Sequence, residues 1–338
     1  MSRKGGHFVK IMEVCGTHTM AIAKYGLRNY FKGVDFISGP GCPVCVTPSS
    51  RLEQCVELAR KKNVITVTFG DLLRVPAVTS SLQNELTRGA DVKVIYSVYE
   101  PLNIALSNPK KEVVFLGAGF ETTAPLAAAL IKSAKQKKIK NLSVFSMFKS
   151  VFPAVETLCK DKEIKVDGFL LPGNVAAITG SDNFNFISDK YAVACVVAGF
   201  LKDEITDAAN ALIALVKNKK TEVINKYSYA VSSKGNTAAK ILLNEVFFLK
   251  NDIWRGFGVI ENSGFGISDK YASFDADKKF SLKKIAEPKD KCLCGQIMKG
   301  LKSPADCKLF GKKCFPQNPV GPCMVSSEGV CAAHFKYR

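Results

Sequence analysis

The chain has 338 residues, 47% hydrophobic and 23% charged, and its 48 Lys and Arg against 30 Asp and Glu give a net charge of +18. Forty of the basic residues are scattered Lys and only eight are Arg, the pattern of a solvated surface rather than a nucleic-acid groove, and one that suits an acidic protein partner. No window approaches the roughly 20 unbroken apolar residues of a membrane span, and the basic start MSRKGGHFVKIMEVCG lacks the apolar core of a secretory signal, so a cytoplasmic protein without membrane association is expected.

Short apolar runs rich in β-branched residues predict buried strands at 34–38, 64–69, 92–97, 113–117, 142–147, 168–171 and 191–199. Helical patterns fill the gaps at 49–62, 81–89, 101–108, 122–136 and 151–162. Apolar strands joined by helical crossovers argue for parallel sheets covered on both faces. Seven strands exceed one mononucleotide-binding half, so the expected fold class is α/β with two Rossmann-like parallel-sheet domains. Pro and charge interrupt the pattern at SNPKKE (107–112), which places the units at 31–108 and 109–200. Beyond residue 200 come amphipathic helices at 203–218 and 235–247, a Gly-rich stretch at 261–268, a charged stretch at 275–291 and a cysteine-rich tail.

Four motifs carry chemistry. In MEVCGTHTMA, Cys15 and His18 stand at i and i+3. A helix beginning at Thr17 puts Cys15 at its N-terminal edge, where a thiol is exposed and its pKa falls. Cys15 and His18 then read as a nucleophile and its base, or as two ligands of one iron, against the plainer reading of a capped helix start. In GPGCPVCVTP (39–48), Cys42 and Cys45 form a C-x-x-C on a loop stiffened by prolines, and no second C-x-x-C exists to complete a zinc site. A redox dithiol is the expectation. GAGFETTAP (117–125) follows a strand and opens a helix but lacks the Walker Lys and the full G-x-G-x-x-G, so Glu121, Thr122 and Thr123 are expected to offer polar groups at the carboxyl end of a sheet rather than to bind a nucleotide.

The fourth motif is the tail, with six of the twelve cysteines from Cys292 onward at gaps of one, twelve, six, eight and seven residues. Clustered thiols among Gly and Pro read as a metal or iron–sulfur site rather than as packing residues, and the wide spacing suits a cubane better than zinc knuckles. One choice of four ligands is Cys292, Cys307, Cys314 and Cys331, leaving Cys294 and Cys323 as a pair. Spacing equally allows Cys294 in place of Cys292. Cys55, Cys159 and Cys195 lie in apolar or helical runs and read as core thiols.

Taken together and in order, CGTHT, GPGCPVCVTP, GFETTAP, PGNVAAITG and PVGPCMVSSEGVCAAHFKY resemble the HypD family of hydrogenase maturation proteins over nearly the whole chain. The resemblance implies a scaffold on which the Fe(CN)2CO unit of [NiFe]-hydrogenase is assembled, with a small HypC-type chaperone and a HypE-type cyanide donor as partners. It implies that Cys15, beside His18, holds the iron being dressed and that Cys42 and Cys45 are a redox-active pair. It also implies that Cys292, Cys307, Cys314 and Cys331 bind a [4Fe-4S] cluster, with Cys294 and Cys323 relaying electrons. The expected fold then gains a third, Cys-rich iron–sulfur domain, formed by residues 1–30 and 201–338, with the cluster segment at 292–331. The sequence departs from the family pattern at Met20, where a second His is usual, at Asn174 and Ala176, where His and Ser are usual, and at GFLK (199–202). Asn174 hydrogen-bonds but does not shuttle a proton near neutral pH. Two other readings are a cluster-dependent disulfide reductase, which would need Cys42 and Cys45 but not Cys15, and a binding module with structural zinc in its tail.

Overall fold

The computed structural model describes residues 8–289 and 292–337. The basic start at 1–7 and the end of the charged stretch, Asp290 and Lys291, lie outside the described residues. Eleven strands are seen among those described: β1 (Val9–Glu13), β2 (Val34–Ser38), β3 (Val64–Phe69), β4 (Val92–Ile95), β5 (Glu112–Gly119), β6 (Leu142–Phe148), β7 (Gly168–Pro172), β8 (Ala194–Ala198), β9 (Val223–Asn225), β10 (Phe247–Trp254) and β11 (Gly258–Ile267). All seven expected strands form. β1, β9 and the antiparallel hairpin of β10 and β11 are additions.

The first sheet is parallel, in the order β2-β1-β7-β8-β9, and the second is parallel, in the order β4-β3-β5-β6. Side chains alternate across the first sheet. Ile11, Leu170 and Val196 face the helices Gly16–Lys24 and Lys202–Lys217, while Met12, Phe169 and Val197 face Val151, Val155 and Val175. The second sheet likewise has Val114 and Leu116 in one core and Val113 and Phe115 in another. Burial of both faces is what made these strands legible as continuous apolar runs.

The sheets divide the chain differently from the units expected at 31–108 and 109–200. β3 and β5 flank residue 108 and pair directly, Val64 with Glu112. The Pro and charge at 107–112 end a crossover helix, Glu100–Ser107, within one sheet. The first sheet takes β1 from the N-terminus and β7 to β9 from beyond residue 167, so residues 9–30 and 202–225 belong to it rather than to a third unit. What remains beyond residue 246 is the hairpin, packed on the second sheet through Phe247 and Phe265, and a tail of short helices, Cys294–Met298, Pro322–Val325 and Val330–Lys336.

The order in which strands are laid down across the sheet reverses between β1 and β7 in the first sheet and between β3 and β5 in the second, while all strands stay parallel. The crevices beyond the carboxyl ends of such strand pairs are where parallel sheets place their sites.

Candidate thiol site at the strand ends

Cys15 follows β1 at the first of these reversals and is the N-cap of the helix Gly16–Lys24. Its thiol is buried, 4% exposed. Burial pushes its pKa up to about 12, and the Glu328 carboxylate adds to the rise. The reactive, exposed thiol expected from a helix N-terminus is therefore not what the chain builds, because desolvation outweighs the first-turn N–H groups. Asn174, in the first turn after β7, faces Cys15 across the reversal: its Oδ1 lies 3.9 Å from Cys15 Sγ and accepts from the Val175 N–H at 2.9 Å. Beneath them Glu13 is fully buried, accepting from Thr19 Oγ1 at 2.6 Å and from the Cys15 N–H at 3.4 Å. Burial raises its carboxyl to about 8.

His18 is fully buried and donates from Nε2 to the Gly199 carbonyl at 2.8 Å, with its ring on Phe200. That bond fixes the tautomer, leaves Nδ1 without a hydrogen-bond partner among the described residues, and ties His18 to the β8 end rather than to the Cys15 thiol. Burial lowers its pKa to about 4, so the ring is neutral near pH 7.

Cys42 and Cys45 are joined as a disulfide, and the Cys45 N–H donates to Cys42 Sγ at 3.1 Å. Because β1 and β2 are neighbours, the loops that follow them touch: the Gly16 N–H donates to the Gly41 carbonyl at 2.9 Å. The tail closes over both. Ser326 Oγ lies 3.4 Å from Cys42 Sγ, and the hydroxyl is the donor because a disulfide sulfur carries no proton. Thr17 Oγ1 donates to Glu328 Oε1 at 2.8 Å, and Ser327 Oγ reaches Asp71, just past β3, at 3.5 Å. The carboxyl ends of β1, β2 and β3 thus meet one tail segment, 326–329.

The six tail thiols line one small cavity with Ile297, Phe310 and Met324, and among the described residues no carboxylate borders it. Cys331 is pushed up by burial and then by Cys294, Cys292, Cys314 and Cys307, which places these sulfurs as one electrostatic group. Cys294 Sγ and Cys323 Sγ are 3.1 Å apart, and the Val320 N–H points at Cys314 Sγ from 3.4 Å. Among the described residues no three His, Cys, Asp or Glu are set to hold a single metal ion. A lone zinc would need four donors at about 2.0–2.3 Å from one point. The donor set is all soft sulfur around a shared space, the chemistry that suits an iron–sulfur group. By contrast, a cavity of about 860 Å³ between β2 and the tail, lined by Arg28, Lys32, Ser303 and His334, holds no thiol.

Glu121 lies elsewhere. It accepts from Ser150 Oγ at 2.7 Å and the Val151 N–H at 3.0 Å, capping the helix Val151–Lys160, and burial raises it to about 7. Thr123 is the N-cap of the helix Ala124–Gln136, and Thr122 precedes it half-buried. Cys55, packed on Met147, and Cys195 are buried and Cys159 half-buried, all three in hydrophobic clusters. Sequence reasoning missed Glu13 and Glu328. The signal that could have found Glu13 is a carboxylate at the end of a buried strand.

Fold and site define a class: a two-sheet α/β protein that brings a buried cysteine, a C-x-x-C disulfide and a six-thiol cavity together at its strand ends. A family model named HypD, described as "Hydrogenase formation hypA family", matches residues 2–338. Similar proteins are the hydrogenase maturation factors HypD of Escherichia coli (41% identical, covering 98% of this chain and 89% of that protein), Azotobacter vinelandii (41%, 97% and 89%) and Cupriavidus necator (39%, 98% and 90%). The chain belongs to the HypD family of hydrogenase maturation factors. Among the described residues no helix is long and apolar enough to cross a membrane.

Proposed function

We propose that this chain is the scaffold on which the Fe(CN)2CO unit of [NiFe]-hydrogenase is assembled, working in the cytoplasm with a small HypC-type chaperone and a HypE-type cyanide donor. Cys15 holds the substrate iron, and Asn174 and Glu328 shape the space around its sulfur. Cys42 and Cys45 cycle between disulfide and dithiol beside it. If cyanide arrives as a thiocyanate, its release balances as thiocyanate plus dithiol giving thiol, cyanide, one proton and the Cys42–Cys45 disulfide. The electron pair comes from the two thiols.

Cys292, Cys307, Cys314 and Cys331 would hold the 4Fe-4S cluster, with Cys294 and Cys323 as a second dithiol. When bound, the cluster supplies single electrons for restoring the dithiols. Cys323 and Ser326 lie at either end of the helix Pro322–Val325, and the Ser326 hydroxyl bonds to Cys42, so the tail connects the two thiol centres through this chain's own residues.

The carrying observation is the bond from the Gly16 N–H to the Gly41 carbonyl, which sets the Cys15 turn directly against the C-x-x-C loop. The test is a Mössbauer spectrum of iron-57-labelled protein purified anaerobically with its partners. Cubane signals plus a low-spin ferrous component that Cys15→Ala alone removes would support the reading. Disulfide reductase activity that survives Cys15→Ala, with no second iron component in either protein, would replace it with the reductase reading. A colourless preparation carrying zinc would sink both.

A further inference from the structure

Arg255 follows β10 and is 5% exposed. Its backbone N–H donates to the Val46 carbonyl at 2.8 Å, one residue past Cys45. Its Nη1 donates to Ser49 Oγ at 3.0 Å, at the first residue of the helix Ser49–Ala59. Its other guanidinium nitrogen faces the tail. A methyl placed on Gly321 would lie 3.7 Å from Arg255 Nη2 and 3.6 Å from Cys292 Sγ, so one glycine separates the cation from a cavity sulfur. The next residue, Gly256, packs on Gly295, just after Cys294, so closely that a methyl there would come 2.3 Å from the Gly295 Cα. One two-residue turn therefore touches the C-x-x-C loop on one side and the Cys292–Gly295 edge of the cavity on the other.

We infer that Arg255 is a positioning residue that couples the Cys42–Cys45 loop to the thiol cavity and holds a fixed positive charge beside the cavity's sulfurs. A guanidinium stays protonated at any working pH, and burial makes its field on a neighbouring sulfur stronger than it would be on the surface. Its backbone N–H holds the Val46 carbonyl while its guanidinium holds the Ser49 hydroxyl, so main chain and side chain grip the same segment after Cys45.

The charge is tested without reference to any cofactor, and its effect on the cluster rests on the reading above. In the full chain freed of metal under anaerobic conditions, Cys292 is alkylated with anionic iodoacetate and with neutral iodoacetamide, and the two rates are read by peptide mapping. Both reagents attack the same thiolate, so their ratio reports the local potential and not the thiol's ionisation. Arg255→Met is expected to lower the iodoacetate preference about threefold or more, while Arg255→Lys keeps most of it. An unchanged ratio in Arg255→Met, or equal ratios in the Met and Lys variants, would overturn the inference. If Arg255→Met does not fold, Arg255→Lys must keep most of the parent ratio or the inference fails. In the anaerobic holoprotein, Arg255→Met is expected to lower the reduction midpoint at unchanged iron content, and an unmoved midpoint at full iron content counts against the charge role. A parent protein without a cluster overturns the cofactor reading, while the alkylation ratio still decides on Arg255.

Discussion

Gly41 lies with its Cα against the backbone of Cys15: a methyl there would come 2.2 Å from the Cys15 nitrogen and 2.4 Å from its Cα. No side-chain rotation relieves a contact with backbone, so the two turns fit only because residue 41 is glycine. Gly41→Ala is expected to destabilise the chain by about 2 kcal/mol or more and to separate Cys15 from the C-x-x-C loop. Chemical denaturation measures the first effect. Cys15 alkylation, slow in the buried parent thiol, should accelerate in the variant. Parent-like values in both would show that the junction yields.

The 3.1 Å separation of Cys294 Sγ and Cys323 Sγ needs little movement to become a bond. Mild oxidation of the metal-free chain is expected to join these two first among the six tail cysteines, as read by non-reducing peptide mapping. Cys294→Ser should abolish that product without forming a substitute pair of similar yield. A dominant bond between any other two tail thiols would contradict the arrangement of the cavity.

Much of the fold was legible because both faces of the sheets are buried, which turns strands into apolar runs. β1 escaped because Lys10 and Glu13 break its run, although Lys10 sends its N–H to Asp167 and Glu13 is sealed under Cys15. The division between sheets was misplaced because Pro and charge mark any crossover as readily as a domain boundary. Spacing singled out Cys42 and Cys45 as candidates, and neighbours in sequence singled out Cys15. Their apposition was not, since it depends on β1 and β2 being adjacent. The exposed, acidified Cys15 expected from its helix position was reversed by burial, which no local pattern reveals. Glu328 is one loop carboxylate among many until the tail folds back onto Thr17.

Glu121 gives the chain a pH-dependent weakness. Burial raises its folded value to about 7 from an ordinary 4.5. Between these values the unfolded chain releases a proton that the folded chain keeps, so stability falls as pH rises through the window. Glu121→Gln still accepts from Ser150 and Val151 but does not ionise. Relative to the variant, the parent is expected to lose about 3 kcal/mol at most from near pH 4.5 to near pH 7, measured as the difference between their urea midpoints. A constant difference across that range would refute the assignment.

The tail reaches the strand ends through Thr17 and Glu328, and the closeness of that contact shows at Gly16, where a methyl would come 2.3 Å from Glu328 Cβ. Thr17→Val keeps the shape and removes the donor, leaving a half-buried carboxyl short of one partner. The cost is about 1 kcal/mol, and it falls on docking of residues 326–329 rather than on the sheets. Hydrogen exchange should therefore rise roughly fivefold at Ser326–Gly329 while the amides of β1 and β7 stay as in the parent. Glu328→Gln separates charge from docking: it still accepts from Thr17, so exchange of the tail should stay low. It also removes the carboxylate that helps hold the Cys15 thiol up, so Cys15 should alkylate faster in this variant than in Thr17→Val. If the Thr17 substitution loosened β1 as much as the tail, the contact would be holding the sheet together rather than closing the site.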